Sequence, residues 1–182
     1  MLSNLFNSLS FVSRLIFLAI LALTSSISFA KDYHVEVVIF ENLAGSRAYE
    51  PHSYQAPETM LSNSETWQVS ANLLVDEAKA IQNSRDYRLL HHYSWGQESL
   101  PYSRSAAFQI AEQDTKGWLK VYATQLLFVN IDLDFNGYRV NEKRRLKLNE
   151  KHYFDHPKFG ILLQVSRLEE QEKQEPELFN NR

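Results

Sequence analysis

The chain has 182 residues, six histidines, no cysteine and a formal net charge of −3. Without thiols there are no disulfides, no thiolate catalysis and no thiolate metal sites, and an exported chain cannot carry a lipid on a cysteine at its cleavage point. The near-neutral balance argues against a nucleic-acid protein, whose footprint is a strong positive excess.

Residues 1–30 have the layout of a secretory signal: a polar start with one charge at Arg14, an apolar run over 15–23, then Thr24-Ser25-Ser26. Ser28 and Ala30 supply the small side chains that signal peptidase requires, so cleavage is expected after Ala30. An apolar run of nine residues is less than half of the roughly 20 that span a bilayer, which predicts a soluble mature chain with no membrane anchor. Residues 31–168 are long enough for one domain with its own core. Residues 169–182, with five glutamates against one lysine and one arginine, read as an acidic disordered tail.

The first element of the mature chain is a strand over 33–40, where Tyr33, Val35, Val37 and Ile39 alternate with His34, Glu36, Val38 and Phe40. One face is apolar throughout and the other becomes so towards its end, which fits an inner strand covered on both sides there. Glu36 and Glu41 read as a solvated strand end. Residues 42–66 are polar, carry Pro51 and Pro57, and predict a long surface loop.

Helical spacing follows at Ala71, Leu74, Ala78 and Ile81, with Leu73 and Val75 widening the apolar face. Ser70 or Asn72 can cap its start, Asp76-Glu77 suit its positive end, and Trp67 reads as a packing anchor just before it. Residues 87–95 alternate again, placing Tyr87, Leu89, His91, Tyr93 and Trp95 on one face. That aromatic face is either a covered sheet surface or a partly open one for sugar stacking, and His91 and His92, on opposite faces, cannot share a metal.

Further strands are predicted over 106–111, 118–123 and 126–135, with a turn at 114–117 joining the first two. Leu127, Val129, Ile131, Leu133 and Phe135 form one face, and Asn136-Gly137 is the pair that tolerates a type I′ hairpin turn. The return strand runs over 138–148, and a last strand over 161–168 turns Ile161, Leu163 and Val165 inward. One helix among these strands predicts an α+β fold, a single domain with a mainly antiparallel sheet of about six strands and the helix packed on a face.

The segment 138–160 concentrates the chemistry. Six cations between Arg139 and Lys151 face only Glu142 and Glu150, and His152-Tyr153-Phe154-Asp155-His156-Pro157 follows. A metal site at His152, Asp155 and His156 would need a helix, which Pro157 disfavours, and Tyr153 stands where a zincin glutamate would be. The turn of a β-hairpin fits better, with Asp155 bonding backbone amides across it, His156-Pro157 fixing its direction, and Tyr153 and Phe159 packed beneath. No serine, histidine and acid stand in a recognisable nucleophile setting, so no catalytic residue and no cofactor is expected. The basic run is either a solvated face that deters further strand pairing or a contact surface with Tyr138 or Tyr153 as an aromatic platform. In the second reading the ligand-binding residues are Arg144, Arg145, Lys147, His152, Tyr153, Asp155 and His156. Arg145 and Lys147 would share a strand side opposite Leu146 and Leu148.

With its leader, Glu36-Val37-Val38-Ile39-Phe40, Tyr87-Arg88-Leu89-Leu90-His91 with Trp95 and Gln97, Arg144-Arg145, His152-Tyr153, Asp155-His156-Pro157 and Phe159-Gly160, the sequence resembles the CsiV family of periplasmic peptidoglycan-binding proteins. The resemblance implies a non-catalytic periplasmic protein that binds peptidoglycan and supports cell-shape integrity by assisting the lipoprotein activator of a bifunctional penicillin-binding protein. A protein-protein cofactor without direct wall binding is the alternative. The chain departs from the family at Gln125-Leu126-Leu127-Phe128, where an Arg-Tyr-Leu-His quartet is expected, so any contacts made by that arginine and histidine are lost.

Overall fold

A computed structural model describes residues 32–44 and 66–168, all within the compact unit Lys31–Arg182. The expected signal peptide, most of the 42–66 loop and the acidic tail lie outside the described residues. Nine strands and one helix follow in the order β1 (Asp32–Asn42), β2 (Thr66–Gln68), α1 (Val75–Gln82), β3 (Tyr87–Glu98), β4 (Phe108–Ala111), β5 (Thr115–Ala123), β6 (Leu127–Phe135), β7 (Tyr138–Leu146), β8 (Lys151–Asp155) and β9 (Phe159–Arg167). The α+β class holds, but the strands form two antiparallel sheets, not one of about six strands. The first sheet is five-stranded in the order β2-β3-β1-β9-β8, and the second is four-stranded in the order β4-β5-β6-β7.

Period-two patterning explains the pairing of the sheets. Val35, Val37 and Ile39 of β1, Trp95 of β3, Phe154 of β8 and Ile161, Leu163 and Val165 of β9 line the inner face of the first sheet. They meet Leu119 and Val121 of β5, the whole Leu127-to-Phe135 face of β6, and Val140 and Leu146 of β7. This core holds 21 buried side chains. A second cluster of five, Val38, Phe40, Leu74, Ala78 and Ile81, joins α1 to the outer face of the five-stranded sheet. Each fully buried aliphatic side chain contributes roughly 1.5–3 kcal/mol, so the sandwich interior dominates the stability and the helix is an addition to it.

The turns follow local chemistry. Asn136 and Gly137 both take positive φ, 50° and 89°, as the type I′ reading requires. The β4–β5 turn lies earlier than expected, because Thr115 already pairs with Phe135 in β5. Strand β7 stops at Leu146 rather than 148, since the chain must cross there from the four-stranded to the five-stranded sheet. Asn149 makes that crossing with φ 61°.

Strand β1 is buried from Asp32 to Phe40, more fully than its pattern implied. Glu36 is not a solvated strand end: it is 0% exposed. The expected Ser70 or Asn72 cap is absent too, for Leu74 is the N-cap and makes no side-chain capping bond. Glu36 instead fastens the backbone that leads into the helix. Its Oε2 accepts the Asn72 and Leu73 amides at 3.0 and 2.7 Å, its Oε1 accepts the Leu74 amide at 3.0 Å, and His92 Nε2 lies 2.6 Å from Oε1. Trp67 sits on β2 opposite Gly96 of β3, with its ring close over that glycine.

Burial works against the charged form of Glu36, but the bonds from Leu73, His92, Leu74 and Asn72 outweigh it and hold its pKa below the ordinary 4.5. The stabilisation is therefore complete above the unfolded-state value and is lost as pH falls through the lower folded-state value. Glu36→Gln should lower stability at pH 7 by about 1–3 kcal/mol in urea unfolding. The difference from the parent should shrink below about pH 4. Equal midpoints at pH 7 would show that the carboxylate adds nothing to the helix.

Candidate functional site

Strand alternation distributes the expected ligand-binding residues in three directions. Val140 and Leu146 of β7 point into the core, so Glu142 and Arg144, in the same phase, point inwards at the open edge between the sheets. There Arg144 Nη1 donates to the Tyr153 carbonyl of β8 at 2.7 Å, Nε and Nη2 donate to Glu142 Oε1, and the guanidinium lies 4.3 Å from the Phe154 ring centroid. Arg144 thus ties β7 to β8, the edge strands of different sheets.

His152 and His156 serve the same seam. The Lys147 amide donates to His152 Nε2 at 3.1 Å, and the Lys158 amide donates to His156 Nδ1 at 3.0 Å. The His156 ring packs on Phe159 and Tyr138, with centroids 5.3 and 5.7 Å away. The hairpin reading of this segment holds, but the turn amide is bonded by His156 and not by Asp155. Asp155 instead accepts the Tyr153 hydroxyl at 2.6 Å, and Tyr153 packs against Phe40, not beneath the turn. Burial first, then the bond to Asp155 and its charge, push the Tyr153 pKa up, so this hydroxyl remains a donor. Among the described residues, no group of three His, Cys, Asp or Glu side chains could hold a metal ion.

Arg145 lies on the opposite side of β7, the outer face of the four-stranded sheet, together with Lys143. Arg145 pairs in register with Phe128, which pairs with Tyr122; Lys143 pairs with Asn130, which pairs with Lys120. These two rows carry cations and aromatics and no carboxylate. Tyr122 and Phe128 stack at 5.6 Å, Tyr102 meets Tyr122 edge-on at 5.0 Å, and Lys120 Nζ lies 4.3 Å from the Tyr102 centroid. Lys143 and Arg145 are exposed, as is Tyr102. Lys147 lies beyond the strand, ion-paired with Glu150 at 3.1 Å. Further along the sheet the balance changes, because Asp132 takes Arg139 in a two-pronged bond at 2.7 and 2.6 Å.

The sequence reading missed Tyr102, Lys120, Tyr122 and Phe128. Their one signal was that aromatic and basic side chains fill the polar phase of β5 and β6. Phe128 ends the quartet Gln125-Leu126-Leu127-Phe128 and sits beside Arg145.

The aromatic strand β3 also differs from its simple alternation. A bulge in its pairing with β1 between Ile39 and Phe40 places Leu89 opposite Phe40 and His91 opposite Ile39. Tyr87 and Leu89 therefore face outwards, while His91, Tyr93 and Trp95 face the sandwich interior. There the covered reading holds: Trp95 stacks on Phe108 at 4.1 Å, Tyr93 packs on Phe108 at 5.3 Å, and His91 lies 3.1 Å from Thr115 Oγ1. His91 and His92 do point to opposite faces.

No curated protein and no solved structure matches the chain. Residues 137–168, which comprise strands β7, β8 and β9 with their turns, match the family model described as "Peptidoglycan-binding protein, CsiV".

Proposed function

We propose that this protein is a non-catalytic peptidoglycan-binding module of the periplasm that supports cell-wall assembly. The observation that carries the reading is the combination of the family match over 137–168 with the outer face that this segment helps to build. Lys143 and Arg145, from the matched segment, stand exposed beside Tyr122, Phe128 and Tyr102 in rows that carry no carboxylate. Exposed cations beside aromatic residues suit a polymer of sugars bearing carboxylate-ended peptides, since charge-assisted bonds to carboxylates are the stronger class of hydrogen bond. The export-type leader supports the periplasmic location, and cleavage after Ala30 would release the module into it. Assistance to a lipoprotein activator of a penicillin-binding protein is the cellular role implied by the family resemblance. A periplasmic crosslink from this chain to such a lipoprotein is its test.

Co-sedimentation of residues 31–182 with protein-free sacculi tests the binding itself. Saturable binding that weakens from low to moderate salt is expected, because ions screen exposed charges. No binding at either salt would leave the protein-protein cofactor as the function. Lys143→Ala with Arg145→Ala should reduce the bound fraction several-fold while leaving the thermal midpoint within a few degrees. Arg144→Ala should behave in the reverse way. It should lose about 1–3 kcal/mol of stability, as expected for bonds to a charged group, and the folded protein should still bind sacculi. A loss of binding with Arg144→Ala at unchanged stability would return that residue to the binding surface.

A further inference from the structure

The outer face of the five-stranded sheet carries a second surface, remote from Lys143 and Arg145. Helix α1 packs on Val38 and Phe40, and two further aromatic rings flank Phe40 across the sheet. Phe40 of β1 is central and 6% exposed. Tyr87 of β3 meets it edge-on at 5.3 Å, and Tyr153 of β8 lies nearly parallel to it, 10° apart in plane and 6.1 Å between centroids.

Gly160 of β9 lies between these rings. A Cβ there would stand 2.5 Å from Phe40 Cζ and 2.7 Å from Tyr153 Cε2, so only glycine lets both rings close over that strand. Tyr87 and Tyr153 are 41% and 45% exposed, two of the five large hydrophobic side chains that are exposed among the described residues. The Tyr153 hydroxyl is held by Asp155, which is itself exposed and in phase with Tyr153 on the same strand face.

We infer that Tyr153 and Tyr87, set about Phe40 and given room by Gly160, form a glycan-stacking platform with Asp155 as its polar acceptor, which takes the N-acetylated sugar backbone of the wall polymer. The inference rests on the wall-binding reading and adds the class of ligand and a second point of contact. A sugar ring offers an apolar face of C–H groups and a rim of hydroxyl and amide donors. Broad aromatic faces beside one well-placed acceptor match both parts, in keeping with sites that combine apolar lining and a few fixed polar groups. A stable protein interface needs on the order of 1,000 Å² with an apolar centre, and a strip of two exposed rings over a buried third does not supply that. The two surfaces lie on opposite outer faces of the sandwich, so stacking on the sugars and pairing with peptide carboxylates are separable.

The test uses tetra-N-acetylchitotetraose, a sugar chain without stem peptides, titrated into the purified chain by calorimetry, with amide chemical shifts followed on the unsubstituted protein. Sedimentation with sacculi runs in parallel. The expected result is binding that moderate salt leaves unchanged, with shifts centred on 153–160 and 87–89. Tyr153→Ala and Tyr87→Ala should each weaken it by about tenfold. Tyr153→Phe should keep most of it, and Lys143→Ala with Arg145→Ala should not alter it.

If the sugar does not bind, or if its shifts fall elsewhere, the platform is overturned; sacculus binding retained in that case would leave the wall-binding reading standing. Sugar binding at 153–160 without sacculus binding would uphold the platform and remove the wall as its source. The shift map on the unsubstituted chain decides the matter even where a tyrosine variant fails to fold.

Discussion

The carboxylate of Glu36, buried at the centre of the five-stranded sheet, fixes where helix α1 can sit. A buried charge is tolerable only when its hydrogen bonds are made, and here the donors are the three amides that lead into α1 and the ring of His92. The helix start is therefore pinned beside the first half of β1. Eight helical residues extend about 12 Å, whereas the eleven of β1 extend about 36 Å. The helix cannot cover the whole outer face, and Phe40, Tyr87 and Tyr153 lie at the limit of its reach. An interaction that looks purely structural thus determines which part of the sheet the helix leaves uncovered.

The basic run over 139–147 shows how a continuous sequence feature becomes discontinuous in space. In a strand, neighbouring side chains point to opposite faces. Arg144 turns into the seam and uses its donors on Glu142 and the Tyr153 carbonyl, while Lys143 and Arg145 face solvent beside rings contributed by β5, β6 and the loop before β4. Three adjacent cations accordingly point in two different directions. The seam also unites the segment that matches the family model, since β7 belongs to one sheet and β8 and β9 to the other. Three separate contacts hold that crossing: Arg144 on the Tyr153 carbonyl, His152 on the Lys147 amide, and His156 between Tyr138 and Phe159.

Much of the fold was legible because local rules and tertiary packing agree. The face from Leu127 to Phe135, the Asn136-Gly137 turn, the inward trio of β9 and the short helix all follow from periodicity and turn chemistry. Disagreement arose where a distant element supplied what the local sequence lacked. The anchor for the backbone leading into the helix comes from Glu36, far away in the chain, so nothing near Leu74 could reveal it. The bulge opposite Phe40 shifts the phase of β3 by one residue, and only the pairing partner discloses that shift.

By itself, the sequence determined the strand faces, the hairpin turns, an α+β class and the family likeness of the 138–160 segment, because these depend on periods of two and 3.6 residues and on residues tolerant of positive φ. Tertiary structure alone decided that the strands divide into two sheets, that Glu36 is interior, and that the cluster from Arg144 to His156 separates into a seam and two outer faces. Those outcomes depend on contacts between residues remote in the chain, such as Arg144 with Tyr153 across the crossing and Phe40 with Tyr153 over Gly160. Side-chain spacing along one strand carries no information about them.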